Sequence, residues 1–284
     1  MNSEQQTIVI TGASSGIGRA TALHLDRLHF RVFAGVRKRA DGRALEEAAS
    51  DLLTAIQLDV TNDESIATAV DTVTEATSGR VDGLINNAGL SLNGPLELLP
   101  MPDIRRLMDV NVIGLLAVTK AFLPLLRAGR GRLVNISSGH GLLAIPDKSA
   151  YAASKFAVQA ISDSLRVELR PFGISVACLA VGKVDTEVLG KIEADRERMI
   201  GGADPAILDP YMPLIEFFDR EVKDLPGVPP EEVAKMVAGL MTSARPKPHP
   251  LVGPGARKMK NLARFPVGLR DRLIAGAVYS RRSS

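Results

Sequence analysis

No tryptophan occurs in this sequence, and only one cysteine, Cys178. A lone thiol excludes an internal disulfide framework and fits a reducing compartment. It lies in the apolar run ISVACLAV, which reads as buried packing rather than as a nucleophile. Four scattered histidines (His24, His29, His140, His249) lack metal-ligand spacing, so no metal site is expected. Aromatics make up only 4% of the chain, and none interleaves with basic residues in a stacking pattern, which argues against nucleic-acid binding. No unbroken apolar run approaches the ~20 residues needed to span a bilayer. The start, MNSEQQ, is polar and shows no signal-peptide pattern. These absences predict a soluble, cytoplasmic protein.

What is present suits one large α/β domain: 284 residues, 45% of them hydrophobic. Short β-branched runs at 7–11, 31–36, 54–60, 83–89, 131–138 and 174–181 read as strands. Helical patterns separate them near 17–28, 42–50, 63–78, 103–127 and 151–170. Strands apolar on both faces that alternate with helices predict a parallel sheet covered on both sides, a doubly wound Rossmann-type fold. The layout is a cofactor-binding and catalytic core over 1–182, an irregular substrate lid over 183–229, a helix at 230–243 and a C-terminal extension over 244–284. That extension carries ten Lys/Arg against Asp271 alone, a charge of +9, while the other residues sum to −6.

The first strand ends in TGASSGIGRA. Gly12, Gly16 and Gly18, with Ser14, Ser15 and Ile17 between them, form a turn whose backbone can approach a pyrophosphate at a helix N-terminus. After the second strand, Val36 is followed by Arg37, Lys38 and Arg39, with no acid to accept a ribose hydroxyl. Arg37 is placed to grip a 2′-phosphate, which favours NADP(H) and leaves NAD(H) open. The alternative is a solvated basic loop.

The glycine turn, Asp59 in QLDV, NNAG at 86–89, Asn111, NISS at 135–138 and the Tyr151-x-x-x-Lys155 pair together resemble the short-chain dehydrogenase/reductase family over residues ~7 to ~190. The pattern is most similar to its retinol and 17β-hydroxysteroid dehydrogenase branch. The resemblance implies a catalytic set of Asn111, Ser138, Tyr151 and Lys155, with Asn111 holding a relay water. It implies cofactor contacts from Asp59, Val60, Asn87, Ala88, Gly89, Gly182, Val184 and Thr186, and a homodimer or homotetramer through the helices at 103–127 and 151–170. The sequence departs from the family at Val181, where a proline is usual. The chemistry of the residues agrees. Positions 151 and 155 share a helix face, and an ammonium beside a phenol of pKa ~10 favours the phenolate.

Around the catalytic serine, His140, Leu142 and Ile145 are candidate substrate contacts. The lid adds Val188, Leu189, Met199, Leu214, Ile215, Phe217 and Phe218, as an apolar pocket wall or as packing. The expected activity interconverts a hydroxyl and a carbonyl on a steroid-, retinoid- or lipid-like substrate. Alternatives are a 3-oxoacyl-thioester reductase and a non-catalytic NADP(H)-binding redox sensor. In the tail, Leu269, Leu273, Ile274, Ala277 and Val278 share a helical face. Docking on the lid is the preferred role, with contact to an anionic membrane or another subunit as alternatives.

Overall fold

The computed structural model describes residues 5–279, without the side chains at 188, 189 and 191. Seven parallel strands form one sheet, and six lie where the sequence predicts them: β1 (Thr7–Ile10), β2 (Arg31–Val36), β3 (Leu53–Gln57), β4 (Gly83–Asn86), β5 (Arg132–Ser138) and β6 (Ser175–Val181). The seventh, β7 (Leu251–Val252), was not anticipated. Two prolines before it hide its strand character, because proline cannot donate to a ladder. At this edge they need only accept: the carbonyls of Pro248 and Pro250 take the N–H groups of Cys178 (2.8 Å) and Ala180 (3.0 Å). The order is β3-β2-β1-β4-β5-β6-β7, a Rossmann-type sheet.

Strand alternation builds two cores, one on each face. Ile8, Ile10, Val32, Ala34, Val134 and Ile136 point to one side. There they meet Leu25 of α1 (Gly16–Arg27) and Val233, Val237 and Leu240 of α10 (Pro230–Thr242). The intervening Val9, Phe33, Leu84 and Leu133 point the other way. They meet Ile66 and Val73 of α3 (Asp63–Thr77) and Val118, Phe122 and Leu126 of α5 (Leu115–Gly129). Each such side chain contributes about 1.5–3 kcal/mol when fully buried. The short α2 (Arg39–Glu46) flanks β2 and β3, and α6 (Ser149–Glu168) covers β5 and β6.

The helix expected over 103–127 is longer and broken in kind. It runs as α4 (Met101–Met108), a π-helical turn over Asp109–Gly114 and then α5. By length and composition Met101–Gly129 is apolar enough to cross a membrane, although no unbroken apolar run suggested it. Half of the apolar stretch is buried, and Val118, Phe122 and Leu126 of α5 pack in the second core.

The region expected to be irregular, 183–229, is largely helical: α7 (Val188–Gly201), α8 (Pro205–Leu208) and α9 (Met212–Asp224). Pro205, Pro210 and Pro213 made it look broken, yet each stands in the first positions of a helical turn, where no N–H is required. The tail folds as α11 (Pro254–Leu262) and α12 (Val267–Tyr279). α12 docks on α9, as preferred, but through a narrower seam than predicted. Ile274 and Val278 join Leu214 and Phe218, whereas Leu269 and Leu273 face solvent at 42% and 53% exposure.

Candidate active site

The glycine turn closes against the end of β4. Gly12 and Gly16 have φ of +67° and +53°, left-handed values that disfavour a side chain. A Cβ on Gly12 would stand 2.8 Å from the Ala88 Cα, and one on Gly18 would collide with the Gly12 carbonyl oxygen. Asn87 Nδ2 donates to the carbonyls of Thr11 and Gly12, both at 3.0 Å. Thr11 Oγ1 accepts from the N–H groups of Asn87 and Ala88, both at 3.0 Å. Thr11 thus welds the turn to the Asn87–Gly89 segment, a role the sequence reading missed. Ser15 caps α1 in an extended conformation without a side-chain hydrogen bond, so the helix start keeps donors for an anion. Beside it lies a cleft of about 780 Å³ lined by Ser14, Ser15, Gly16, Arg19, Asp185 and Thr186, among others. Thr186 bends over the turn, its methyl 3.3 Å from where a Gly16 Cβ would be.

Arg37 is exposed just beyond β2. Its charge reaches Asp59, whose carboxyl burial pushes up, while the Thr61 N–H and hydroxyl, Arg37 and Arg106 bring it below the ordinary value. Thr61 holds one Asp59 oxygen at 2.9 and 2.7 Å. Val60 is buried against Gly114, where a Cβ would meet its methyl at 2.8 Å.

β5 ends at Ser138, and the first turn of α6 carries Tyr151 to it. The Ser138 hydroxyl acts on the Tyr151 phenol, drawing it down, and Ser138 Oγ accepts from the His140 N–H at 3.2 Å. Lys155, 6% exposed, donates from Nζ to the Ile136 carbonyl at 3.1 Å, with Nζ 5.9 Å from the centre of the Tyr151 ring. Gly89 leaves the neighbouring space open: a Cβ there would lie 3.3 Å from Asn111 Oδ1 and 3.5 Å from Lys155 Nζ. Burial brings the Lys155 ammonium down to about 8. The Tyr151 phenol departs from expectation. Burial pushes it above its ordinary value, against the downward pull of the Ser138 hydroxyl. The protein alone therefore holds this phenol protonated.

Asn111 sits in the π-turn, a local widening common at functional sites. Its amide donates to the Leu90 carbonyl (2.9 Å) and Ser154 Oγ (3.0 Å), and Oδ1 accepts from the Leu90 N–H (2.7 Å). Both amide hydrogens are engaged, so contact with a relay water falls to its oxygens. Ser154, which donates onward to the Tyr151 carbonyl at 2.7 Å, is a second residue that sequence reading missed.

On the substrate side, His140 meets the Tyr151 ring edge-on at 5.7 Å, and its Nδ1 is buried with no hydrogen-bond partner among the described residues. Burial, helped by the Lys148 charge, lowers the imidazole to about 3, so it is neutral at physiological pH. Leu142 is partly buried. Ile145 packs on the cluster of Leu214, Phe218 and Val278, and Phe217 does the same, so part of the expected lid wall is lid packing. Met199 reaches the cluster that includes Leu99, Ala150 and Tyr151. Val188 and Leu189 lie outside the described side chains. Gly182 donates to the Val252 carbonyl at 2.9 Å, and Val184 bridges to Val228. Where the family usually has proline, Val181 extends β6 in register with Ser138 on one side and Val252 on the other. Ladder bonds supply stiffness there that a proline would otherwise give.

A family model of short chain dehydrogenases matches residues 6–197. Retinol dehydrogenase 8 of Bos taurus is 35% identical over 288 residues, covering 98% of this chain and 89% of that protein. The mitochondrial D-beta-hydroxybutyrate dehydrogenase of Rattus norvegicus is 33% identical, covering 94% and 83%. The human 17-beta-hydroxysteroid dehydrogenase type 1 is 36% identical, covering 84% and 75%. Among solved structures, a short-chain dehydrogenase from Streptomyces avermitilis superposes over both whole chains with a TM-score of 0.78 at 30% identity. An alcohol dehydrogenase from Thermococcus sibiricus complexed with 5-hydroxy-NADP covers 88% of this chain and 97% of its own, with a TM-score of 0.72 at 25% identity. The glycine turn, the Ser138–Tyr151–Lys155 cluster and these likenesses lead to one conclusion: the chain belongs to the short-chain dehydrogenase family of oxidoreductases, in the branch of the retinol and 17β-hydroxysteroid dehydrogenases.

Proposed function

We propose that this protein is an NADP(H)-dependent oxidoreductase that interconverts a hydroxyl and a carbonyl on a lipophilic substrate, with Tyr151 as general acid and base. The observation that carries the reading is the meeting of Ser138 at the end of β5 with Tyr151 in the first turn of α6 and the buried Lys155 ammonium, 5.9 Å from the Tyr151 ring. Gly12, Gly16, Gly18 and the uncapped start of α1 suit the pyrophosphate, Asn87–Gly89 and Asp59 the adenosine side, and Arg37 a 2′-phosphate. Val60, Gly182, Val184 and Thr186 complete the cofactor wall. A solved neighbour that holds 5-hydroxy-NADP supports the cofactor choice. When bound, the nicotinamide gives or takes the hydride.

The remaining work belongs to the chain. Ser138 donates to the substrate oxygen and stabilises charge developing there. In reduction, the Tyr151 hydroxyl gives its proton to that oxygen; in oxidation, the phenolate receives it. Burial favours the protonated form, so the cation at Lys155 is needed to make the phenolate accessible. An oxygen of Asn111 holds the water that reconnects the site to solvent. His140 and Leu142 face the substrate, with Ile145 behind them on the lid cluster, and the neutral imidazole offers the substrate one hydrogen bond.

We further infer a cytoplasmic location, which a lone cysteine suits, and pairing with a second copy through the helices that carry Asn111 and Tyr151. Ile113 of the π-turn, Leu116 of α5 and Phe156 of α6 are 58%, 40% and 42% exposed, which supports that pairing. Exposed Phe265, Val267, Leu269 and Leu273 among the basic residues of the tail support contact with anionic membranes; pelleting with phosphatidylserine vesicles tests it, and no pelleting refutes it. Retinol, estradiol, 3-hydroxybutyrate and an acyl thioester, each incubated with both cofactors while nicotinamide absorbance is followed, test the substrate class. Turnover of a retinoid or steroid with NADP(H) is expected. Turnover of the thioester alone would favour the acyl-reductase reading, and no turnover alongside tight NADPH binding would favour a sensor.

A further inference from the structure

The lid is fastened to the catalytic helix by charge. Arg196 of α7, 7% exposed, donates from both terminal nitrogens to Asp147, Nη1 to Oδ1 at 2.7 Å and Nη2 to Oδ2 at 2.6 Å. Nη2 is also 3.2 Å from Asp219 of α9, a half-exposed carboxylate. Asp147 is 4% exposed and has φ of +68°, a left-handed backbone that a non-glycine residue adopts only when its surroundings hold it there. The next residue, Lys148, caps α6, and its carbonyl accepts from the Ala152 N–H at 2.7 Å, closing the turn that contains Tyr151. Lys148 Nζ lies 3.8 Å from Asp147 Oδ2. One turn beyond Arg196, Met199 packs into the cluster that includes Tyr151.

A buried ion pair of this kind adds little to stability over an apolar pair of similar volume, because desolvation offsets the attraction. What a bidentate pair does impose is geometry. The guanidinium fits the carboxylate in one orientation, which fixes the lid helix relative to the residue that starts α6.

We propose that Arg196 is a positioning residue: by gripping Asp147 it closes the lid and, through the same contact, sets the first turn of the helix that presents Tyr151 to the substrate. This rests on Tyr151 as the acid/base. Hydrogen exchange needs no substrate, so the coupling can be tested separately from the chemistry.

The experiment measures amide exchange at 149–153 and across the described lid in wild type, Arg196→Met, Arg196→Lys and Asp147→Asn. Arg196→Met should speed exchange in both segments on the order of 10-fold, while the strands stay protected. Arg196→Lys, which keeps the charge but not the fork, should recover part of the lost protection. Arg196→Met combined with Asp147→Asn should be no faster than the worse single variant, since both remove one contact. With retinol as the probe, Arg196→Met should raise KM and lower kcat while NADPH affinity stays within about twofold. Unchanged exchange at 149–153 in a folded Arg196→Met protein overturns the proposal, even if the lid loosens, as do additive effects in the double variant. If Arg196→Met does not fold, Asp219→Asn at the half-exposed arm decides. Faster exchange in both segments supports the coupling, and a change confined to the lid, or none, contradicts it.

Discussion

Residues 7–182 and residues 183–279 hold their functional side chains by different means. In the first region, strand ends and the turns that follow them set the geometry. Ser138 ends β5 within its ladder, and Asn87 and Gly12 follow β4 and β1, whose ladder register fixes where they emerge. In the second region, α10 and β7 join the sheet and its core, but the lid helices and the tail helix α12 are pinned at isolated points. Arg196 grips Asp147, the Tyr211 hydroxyl donates to Glu97 at 2.9 Å, and Ile274 and Val278 anchor the tail. The sheet side therefore reads as a preformed chemical site, and the lid side as a cover whose closure depends on few contacts. Changes on the sheet side should alter chemistry or cofactor choice, and changes on the lid side should alter closure and local order.

The largest effect expected on the sheet side comes from Tyr151→Phe. Turnover followed by nicotinamide absorbance should fall by about 10²–10⁴-fold, with the NADPH dissociation constant unchanged within about twofold. Arg37→Asp comes next. It should weaken NADPH about 10–100-fold, the loss of a charge-assisted contact, and leave NADH affinity nearly the same; equal weakening of both cofactors would remove the 2′-phosphate assignment.

A smaller effect sits where the two regions meet, at His140. Its folded value of about 3 lies below the ordinary 6.5. Between those values the unfolded chain binds more protons than the folded one, so the neutral imidazole's contribution to stability is whole above pH 6.5 and lost as the pH falls toward 3. Denaturant titrations of His140→Asn should show a flatter decline over that range, and a slope equal to wild type would contradict the buried, neutral assignment. The smallest effect belongs to the tail. Val278→Asp should release the α12 amides to exchange, while the melting temperature of the remainder moves only slightly.

This division also explains what could be read from the sequence. Six strands were recognisable because β-branched runs such as RVFAGV are apolar on both faces, as a covered parallel sheet requires. The glycine turn and the Tyr151–Lys155 pair were recognisable because their spacing in sequence is their spacing in space. Arg196 and Asp147 were not, since 49 residues separate them and nothing local marks either one. β7 is only two residues long behind prolines, and the lid prolines start helices where they seemed to break the chain. The π-turn at Asn111 also escaped notice, because one extra residue in a helical turn leaves the apolar pattern almost intact. The state of the Tyr151 phenol was misjudged for a related reason. Sequence spacing reveals the nearby cation but not the depth of burial, and burial dominates in the protein without cofactor.

That last point offers a direct test. The chain has no tryptophan and only three tyrosines, Tyr151, Tyr211 and Tyr279, so tyrosinate absorbance can be followed as a function of pH with little background. The difference between wild type and Tyr151→Phe isolates one phenol. Without cofactor, that phenol should remain protonated until the pH passes its ordinary value; with NADP⁺ bound, its ionisation should move toward neutral pH, and Lys155→Met should abolish the movement. A difference titration that is the same with and without NADP⁺ would contradict the assignment of Tyr151 as the acid and base of this enzyme.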